Sequence, residues 1–273
     1  DDKSGALRPG VRMAVSALQP REARAVLEAK AEKHGIPFCS APSVFSCVGT
    51  DAGQALWSSL PVHLRELAVL PDGVELGLRG PHQRMNAQTA LLAWILLCHQ
   101  YGWKTDSASI AHGLANAFIP GRLQYAPACG ERPALWLDGA HNTHGMTALI
   151  SALASTKAVT EDLRPGAVVF SCLGDKETEQ MTALLAQASA LLGGVPVFVP
   201  PIIDNPRAAD PAELAMMLRN ARADQQASPA ENAAHALSAA HDAAGGRPIL
   251  VCGSLYLLSE IFALWPELLE AQP

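Results

Sequence analysis

The chain has 273 residues, 49% of them apolar and 17% charged, with a formal net charge of −6; this is a globular profile with room for one large domain or two ordinary ones, and it excludes a disordered chain. No basic stripe accompanies the acidic balance, which argues against a nucleic-acid partner, because neutralising phosphates needs clustered Lys and Arg. No apolar run approaches the roughly 18 residues of a membrane span, so no membrane is expected.

The opening DDKSGALRPG holds no cap, no clear element and no initiator Met, so the chain is expected to begin inside a longer polypeptide. The run VRMAVS reads as a short strand. Over residues 20–35, PREARAVLEAKAEKHG is amphipathic, with Ala23, Val26, Leu27 and Ala31 on one face, Pro to open it and Gly to close it. Residues 38–80 read as short strands and turns, including the PDG turn that ends at Gly73. A long, largely buried helix is predicted over about residues 84–101, and a short one over residues 107–117. Six scattered cysteines (Cys39, Cys47, Cys98, Cys129, Cys172, Cys252) form no C-x-x-C pair. They read as free thiols of a reducing compartment, cytoplasmic or organellar.

After Pro120-Gly121 the rhythm changes. Apolar runs ALWLD, AVVFSCLG, VPVFV and PILVCG alternate with helices expected to begin near Thr143, Lys176, Pro211, Pro229 and Leu255. That alternation predicts an α/β domain, a mostly parallel sheet with helices on both faces, because right-handed crossovers put helices there. A boundary near Ile119 gives two domains, residues 1–118 and 119–273.

Three of these strands finish in polar groups: Asp138-Gly139-Ala140-His141-Asn142, then Asp175-Lys176, then Gly253-Ser254. In a parallel sheet all three sets share one edge, where ligands collect. Together they offer a carboxylate, an imidazole, an ammonium, a hydroxyl and helix N-terminal amides, which suits a small charged ligand or a nucleotide. Each also has a plain structural alternative: Asp138, Asn142 or Thr143 as a helix cap, Ser254 as another, and Lys176 as a solvated partner of Asp175. In the first half, GPHQRMNA puts His82, Gln83 and Asn86 at the start of the long helix, where His82 and Asn86 share a face. Arg122 follows a Pro-Gly turn, where its planar fork would suit phosphate oxygens.

The series DKSGALRPG, GPHQRMNA, IPGRLQ, LDGAHNTHG, LGDKE and CGSLYLLSE resembles, in order, that of folylpolyglutamate and dihydrofolate synthases of the Mur ligase superfamily. The resemblance runs from Asp1 to about Phe262. It implies a Rossmann-like C-terminal ligase domain preceded by the later part of a Mur-type ATPase domain. It further implies an ATP-dependent amide ligase that activates a folate or dihydropteroate carboxyl as an acyl phosphate and joins it to L-glutamate, with Mg2+ as second cofactor and a monomeric intact enzyme. By the same resemblance Asn86, Arg122 and Asp138 contact ATP, and Lys3, if carbamylated, holds magnesium and serves catalysis. His141, also assigned to catalysis, joins Lys176 and Ser254 in the glutamate subsite.

Two departures stand out. Thr143 replaces the family's Pro after His-Asn, and the phosphate loop G-x-x-x-x-G-K-[ST] is absent from these residues. The chain is therefore expected to be a fragment, inactive alone. Another Mur-type ligase and a non-catalytic nucleotide- or amino-acid-binding module remain as alternatives.

Overall fold

The structure, a computed structural model, describes residues 3–43, 46–155, 159–174 and 177–271, with the backbone alone described at Lys3, 41–43 and 46–48. The chain divides into two compact units, Asp1–Gly77 with His82–Ala117, and Leu78–Pro81 with Phe118–Pro273.

In the first unit, strand β1 (Ala14–Ser16), helix α1 (Arg21–Lys33) and strand β2 (Phe38–Ser43) form a parallel crossover, and β3 (Ser46–Gly49) adds antiparallel to β2. Helices α2 (Asp51–Ser59), α3 (Val62–Leu67), α4 (Gln83–Tyr101) and α5 (Ser107–Ala115) follow. The core forms where Leu91, Leu92, Ile95 and Leu96 of α4 meet Leu60 and Leu64.

Helices α2 and α3 correct the expectation of strands and turns over residues 38–80. Both are short, 9 and 6 residues, so a helical period has little room to show. Gly53 sits inside α2 and must be glycine, because a Cβ there would lie 2.0 Å from the Phe38 carbonyl oxygen. The helix start is fixed by Thr50, whose hydroxyl accepts from the Gly53 amide.

The second unit contains β4 (Gln124–Ala126), β5 (Leu135–Asp138), α6 (Thr143–Leu153), β6 (Ala167–Phe170), α7 (Thr178–Leu191), β7 (Val197–Val199), α8 (Pro211–Ala221), β8 (Ala227–Pro229), α9 (Ala233–Ala244), β9 (Ile249–Cys252) and α10 (Leu255–Leu264). The sheet order is β4-β5-β9-β6-β7-β8, parallel throughout except for β4 at one edge. Strand residues alternate between two cores. Trp136, Val168, Phe170, Leu250 and Cys252 pack with α6, α7 and α8. Leu135, Leu137, Val169, Ile249 and Val251 pack with α9 and α10. Helices thus cover both faces, which is why these strands read as unbroken apolar runs.

Strands β4 and β8 were not legible as strands. Each has three residues and lies at a sheet edge, and β8 ends in Pro229, a residue that edges tolerate. α9 begins at Ala233, later than Pro229, because Asn232 caps it through the His235 amide. α7 begins at Thr178.

Candidate functional site at the strand ends

β9 lies between β5 and β6, and Asp138 and Phe170 are both in register with Cys252. The carboxyl ends of the three strands therefore stand side by side, and Gly139, Ser171 and Gly253 continue from one level. In open α/β sheets this is where ligands bind.

Asp138 is buried, and both its oxygens are engaged by main-chain amides: Oδ1 accepts from Ala140 at 2.8 Å and Oδ2 from Leu123 at 2.9 Å. Leu123 needs this anchor, because it adopts φ 43°, a left-handed conformation costly for a branched side chain. The rest of the Pro-Gly-Arg-Leu-Gln turn is pinned as well. The Gly139 amide donates to the Gly121 carbonyl at 2.7 Å, and the Gly121 amide donates to Gln124 Oε1 at 2.9 Å. Gln124 Nε2 in turn donates to the Leu268 carbonyl at 2.8 Å. Arg122 is thereby an exposed guanidinium on a fixed backbone, presented at the strand-end edge. In the sequence Asp138 and Arg122 stand apart as separate candidates; the structure joins them through Leu123 and adds Gln124 as a second latch.

The segment after Asp138 turns into α6. His141 is exposed, and its Nδ1 lies 2.8 Å from the Gly139 carbonyl. A carbonyl only accepts, so Nδ1 carries the proton and Nε2 is left as a free acceptor in the neutral ring. Of the three candidate caps, Asn142 does the work, its Oδ1 accepting from the Gly145 amide at 2.8 Å. Thr143 instead donates its amide, at 2.6 Å, and its hydroxyl to one oxygen of Glu177. Those two hydrogen bonds, the hydroxyl first, hold the Glu177 carboxyl below the usual glutamate range, with a smaller contribution from His141. A Pro at 143 could make neither bond. Glu177 lay inside the LGDKE motif but was not singled out, because nothing local marks it as a partner of a residue 34 positions away.

Ser254 is buried and caps α10, its hydroxyl accepting from the Tyr256 amide at 3.1 Å. Next to it, burial and then the nearby Asp138 charge push the Cys252 thiol far above the ordinary range, which rules it out as a nucleophile. Cys39, Cys98, Cys172 and Cys252 are buried free thiols, and Cys129 is an exposed one. Lys176 lies outside the described residues.

Asn86 belongs to the first unit. It is exposed on the first turn of α4, where its Nδ2 donates to Gln83 Oε1 at 2.9 Å and Gln83 Nε2 meets His82 Nε2 at 3.1 Å. Gln83 is buried and orients Asn86, a role the motif GPHQRMNA contained without declaring. The backbone of Lys3 opens a 3-10 turn, Lys3–Ala6, and its side chain lies outside what is described. Among the described residues no group of three or more His, Cys, Asp or Glu could hold a metal ion.

Comparison with known proteins fits this geometry. Residues 121–255 match the family described as Mur ligase, glutamate ligase domain. The dihydrofolate synthase/folylpolyglutamate synthase of Bacillus subtilis is 28% identical over 261 residues, which cover 95% of this chain and 56% of that protein. The folylpolyglutamate synthase of Lacticaseibacillus casei is 26% identical over 259 residues, covering 95% of this chain and 55% of that protein. The fold is that of Mycobacterium tuberculosis folylpolyglutamate synthase complexed with ADP, with a TM-score of 0.68 at 24% identity, over 100% of this chain and 58% of that one. The chain thus spans a little over half the length of these relatives. The register of the strand ends, the pinned arginine turn and the family match agree: residues 121–255 form a Mur ligase glutamate-ligase domain, and the chain is homologous to folylpolyglutamate and dihydrofolate synthases.

Proposed function

We propose that this chain supplies the glutamate-ligase domain, and through residues 1–118 part of the ATPase domain, of an ATP-dependent amide ligase that joins L-glutamate to a folate or dihydropteroate. The observation that carries the reading is the Asp138 latch. A buried carboxylate holds Leu123 in a left-handed conformation with its side chain in the core, which leaves Arg122 facing outward on a fixed backbone, an arrangement that fits an anionic ligand. The ADP complex of the M. tuberculosis relative supports a nucleotide as that ligand.

When bound, ATP supplies the phosphoryl group that turns the acceptor carboxylate into an acyl phosphate open to attack by the glutamate amine. The residues of this chain orient and neutralise. Arg122 draws the negative charge of phosphates, Asp138 holds the turn that presents it and faces the ribose side, and Asn86 contributes a nucleotide contact from α4. His141 Nε2, Ser254 and Lys176 hold L-glutamate beside the activated carboxyl, with His141 Nε2 able to accept a proton from the incoming amine. By the family resemblance, Lys3 in carbamylated form would hold magnesium, and no step of the proposal runs through the metal. The intact enzyme works as a monomer in the cytoplasm or an organelle. Among the described residues no helix is long and apolar enough to cross a membrane.

The test is incorporation of radiolabelled glutamate with ATP and magnesium, offering dihydropteroate or tetrahydrofolate to this chain and to a version extended upstream. The extended protein is expected to incorporate glutamate, and Arg122→Ala to lower its turnover about a hundredfold. An extended protein inert with every pterin would overturn the folate assignment.

A further inference from the structure

The first unit carries an aromatic surface that the ligase reading leaves unused. α4 closes at Gly102, whose amide donates to the Cys98 carbonyl, as does that of Trp103 at 3.0 Å. Trp94 Nε1 then donates to Thr105 Oγ1 at 3.0 Å, and Asp106 caps α5 through the Ser109 amide at 2.7 Å. The short connection from α4 to α5 is thus held at both ends and in the middle. Trp103 on this connection stacks on Tyr101, with ring centroids 5.1 Å apart, and packs tilted against Trp94 at 5.7 Å. The three rings are 49%, 50% and 40% exposed.

Trp103 also lines a concavity of about 540 Å3 together with His63, His99 and Lys104, a volume suited to a small molecule. Asp106 lines it too, but its carboxylate is engaged by the amides at the start of α5, which hold it below the usual range. The concavity thus offers an ammonium with no ion pair among the described residues, and two imidazoles, against one carboxylate already in use. Clustered aromatic faces left in water gain by being covered, and fixed ones lose little entropy on stacking. A flexible aliphatic acid would leave the rings unused, and an uncharged ring would leave Lys104 unused.

We propose that the Trp94–Trp103–Tyr101 ledge and its concavity form a ligand site for a planar heteroaromatic anion. The site lies about 20 Å along α4 from Asn86, at 1.5 Å per residue. Two sources share this chemistry, an adenine nucleotide and a pteroylglutamate.

Isothermal titration of the 273-residue chain with AMP and with folic acid distinguishes them, with L-glutamate as the ring-free control. One of the two ring-bearing probes is expected to bind, and the stronger of them identifies the source. Trp103→Ala weakens that binding about tenfold and Lys104→Ala about threefold, and the Trp103-dependent component persists in Arg122→Ala. These are exposed side chains, and circular dichroism checks that each variant folds; Tyr101→Ala replaces Trp103→Ala if the latter does not. The proposal is overturned if neither probe binds, if L-glutamate binds as tightly, or if affinity follows Arg122→Ala and Asn86→Ala while ignoring Trp103 and Lys104.

Discussion

Two of the places that present candidate ligand-binding side chains, the strand ends and the start of α4, are built differently. At the strand ends of the second unit, polar side chains are held by main-chain groups: Asp138 by the Leu123 and Ala140 amides, Asn142 by Gly145, Ser254 by Tyr256. At the start of α4, Asn86 is held by another side chain, Gln83, which leans on His82. A residue held by the main chain also holds the main chain, so removing it strands buried amides. A residue held by a side chain can be lost with little harm to the fold. Stability and ligand recognition are therefore coupled at the strand ends and separable at α4.

The strand-end side of this contrast is broken most severely at Gly253. Its φ is +104°, and a Cβ there would lie 2.4 Å from the Ser171 carbonyl oxygen and 2.5 Å from the Phe170 ring. Backbone and a core ring cannot yield, so Gly253→Ala is expected to cost about 3–5 kcal/mol in urea unfolding. A loss under about 1 kcal/mol would show that the edge is looser than its register implies. Asp138→Asn comes next. Asparagine keeps one acceptor oxygen and turns its NH2 toward an amide that also donates, for a loss of about 2–3 kcal/mol. Amide exchange should quicken at Leu123 or Ala140 first. Ser254→Ala removes only a cap and should cost about 1 kcal/mol by thermal unfolding, with Ser254→Gly milder.

Glu177 gives the same edge a pH signature. Thr143 holds its folded carboxyl below its ordinary value of 4.5, so the ionised form favours the folded state. The contribution is full above that value and is lost as the pH falls through the depressed folded one. Wild type should melt higher than Glu177→Gln at neutral pH, and the two curves should converge on acidification below 4.5. A difference that persists at low pH would mean that Glu177 acts by packing alone.

The contrast also explains what was legible in the sequence. In the second unit every long strand is buried on both faces, so composition alone marks β5, β6 and β9, and a carboxyl edge with polar ends follows from any parallel arrangement of them. What stayed hidden was pairing across distance. Nothing near Leu123 says that a residue 15 positions on will hold its amide, and nothing near Thr143 points to Glu177. In the first unit the failures were local: α2 and α3 are too short to show a period, and nothing in the sequence ties Gly53 to the Phe38 carbonyl that requires it to be glycine. Asn86 could be read from its motif, whereas its dependence on Gln83 could not, since a buried glutamine at a helix start looks like a neutral surface residue.

That dependence yields the smallest effect on stability and the sharpest test of the contrast. Asn86 is exposed, so Asn86→Ala should change stability by no more than about 0.5 kcal/mol. Gln83→Leu replaces a buried amide with an apolar group of similar volume, a change that is close to neutral when polar partners can turn to water. Both variants of the upstream-extended protein should nevertheless bind ATP more weakly, the first by losing the contact and the second by releasing its orientation. If Gln83 acts only through Asn86, the double variant will lose no more affinity than Asn86→Ala alone. Additive losses would mean that Gln83 reaches the ligand by another route, and the side-chain relay would no longer set α4 apart from the strand ends.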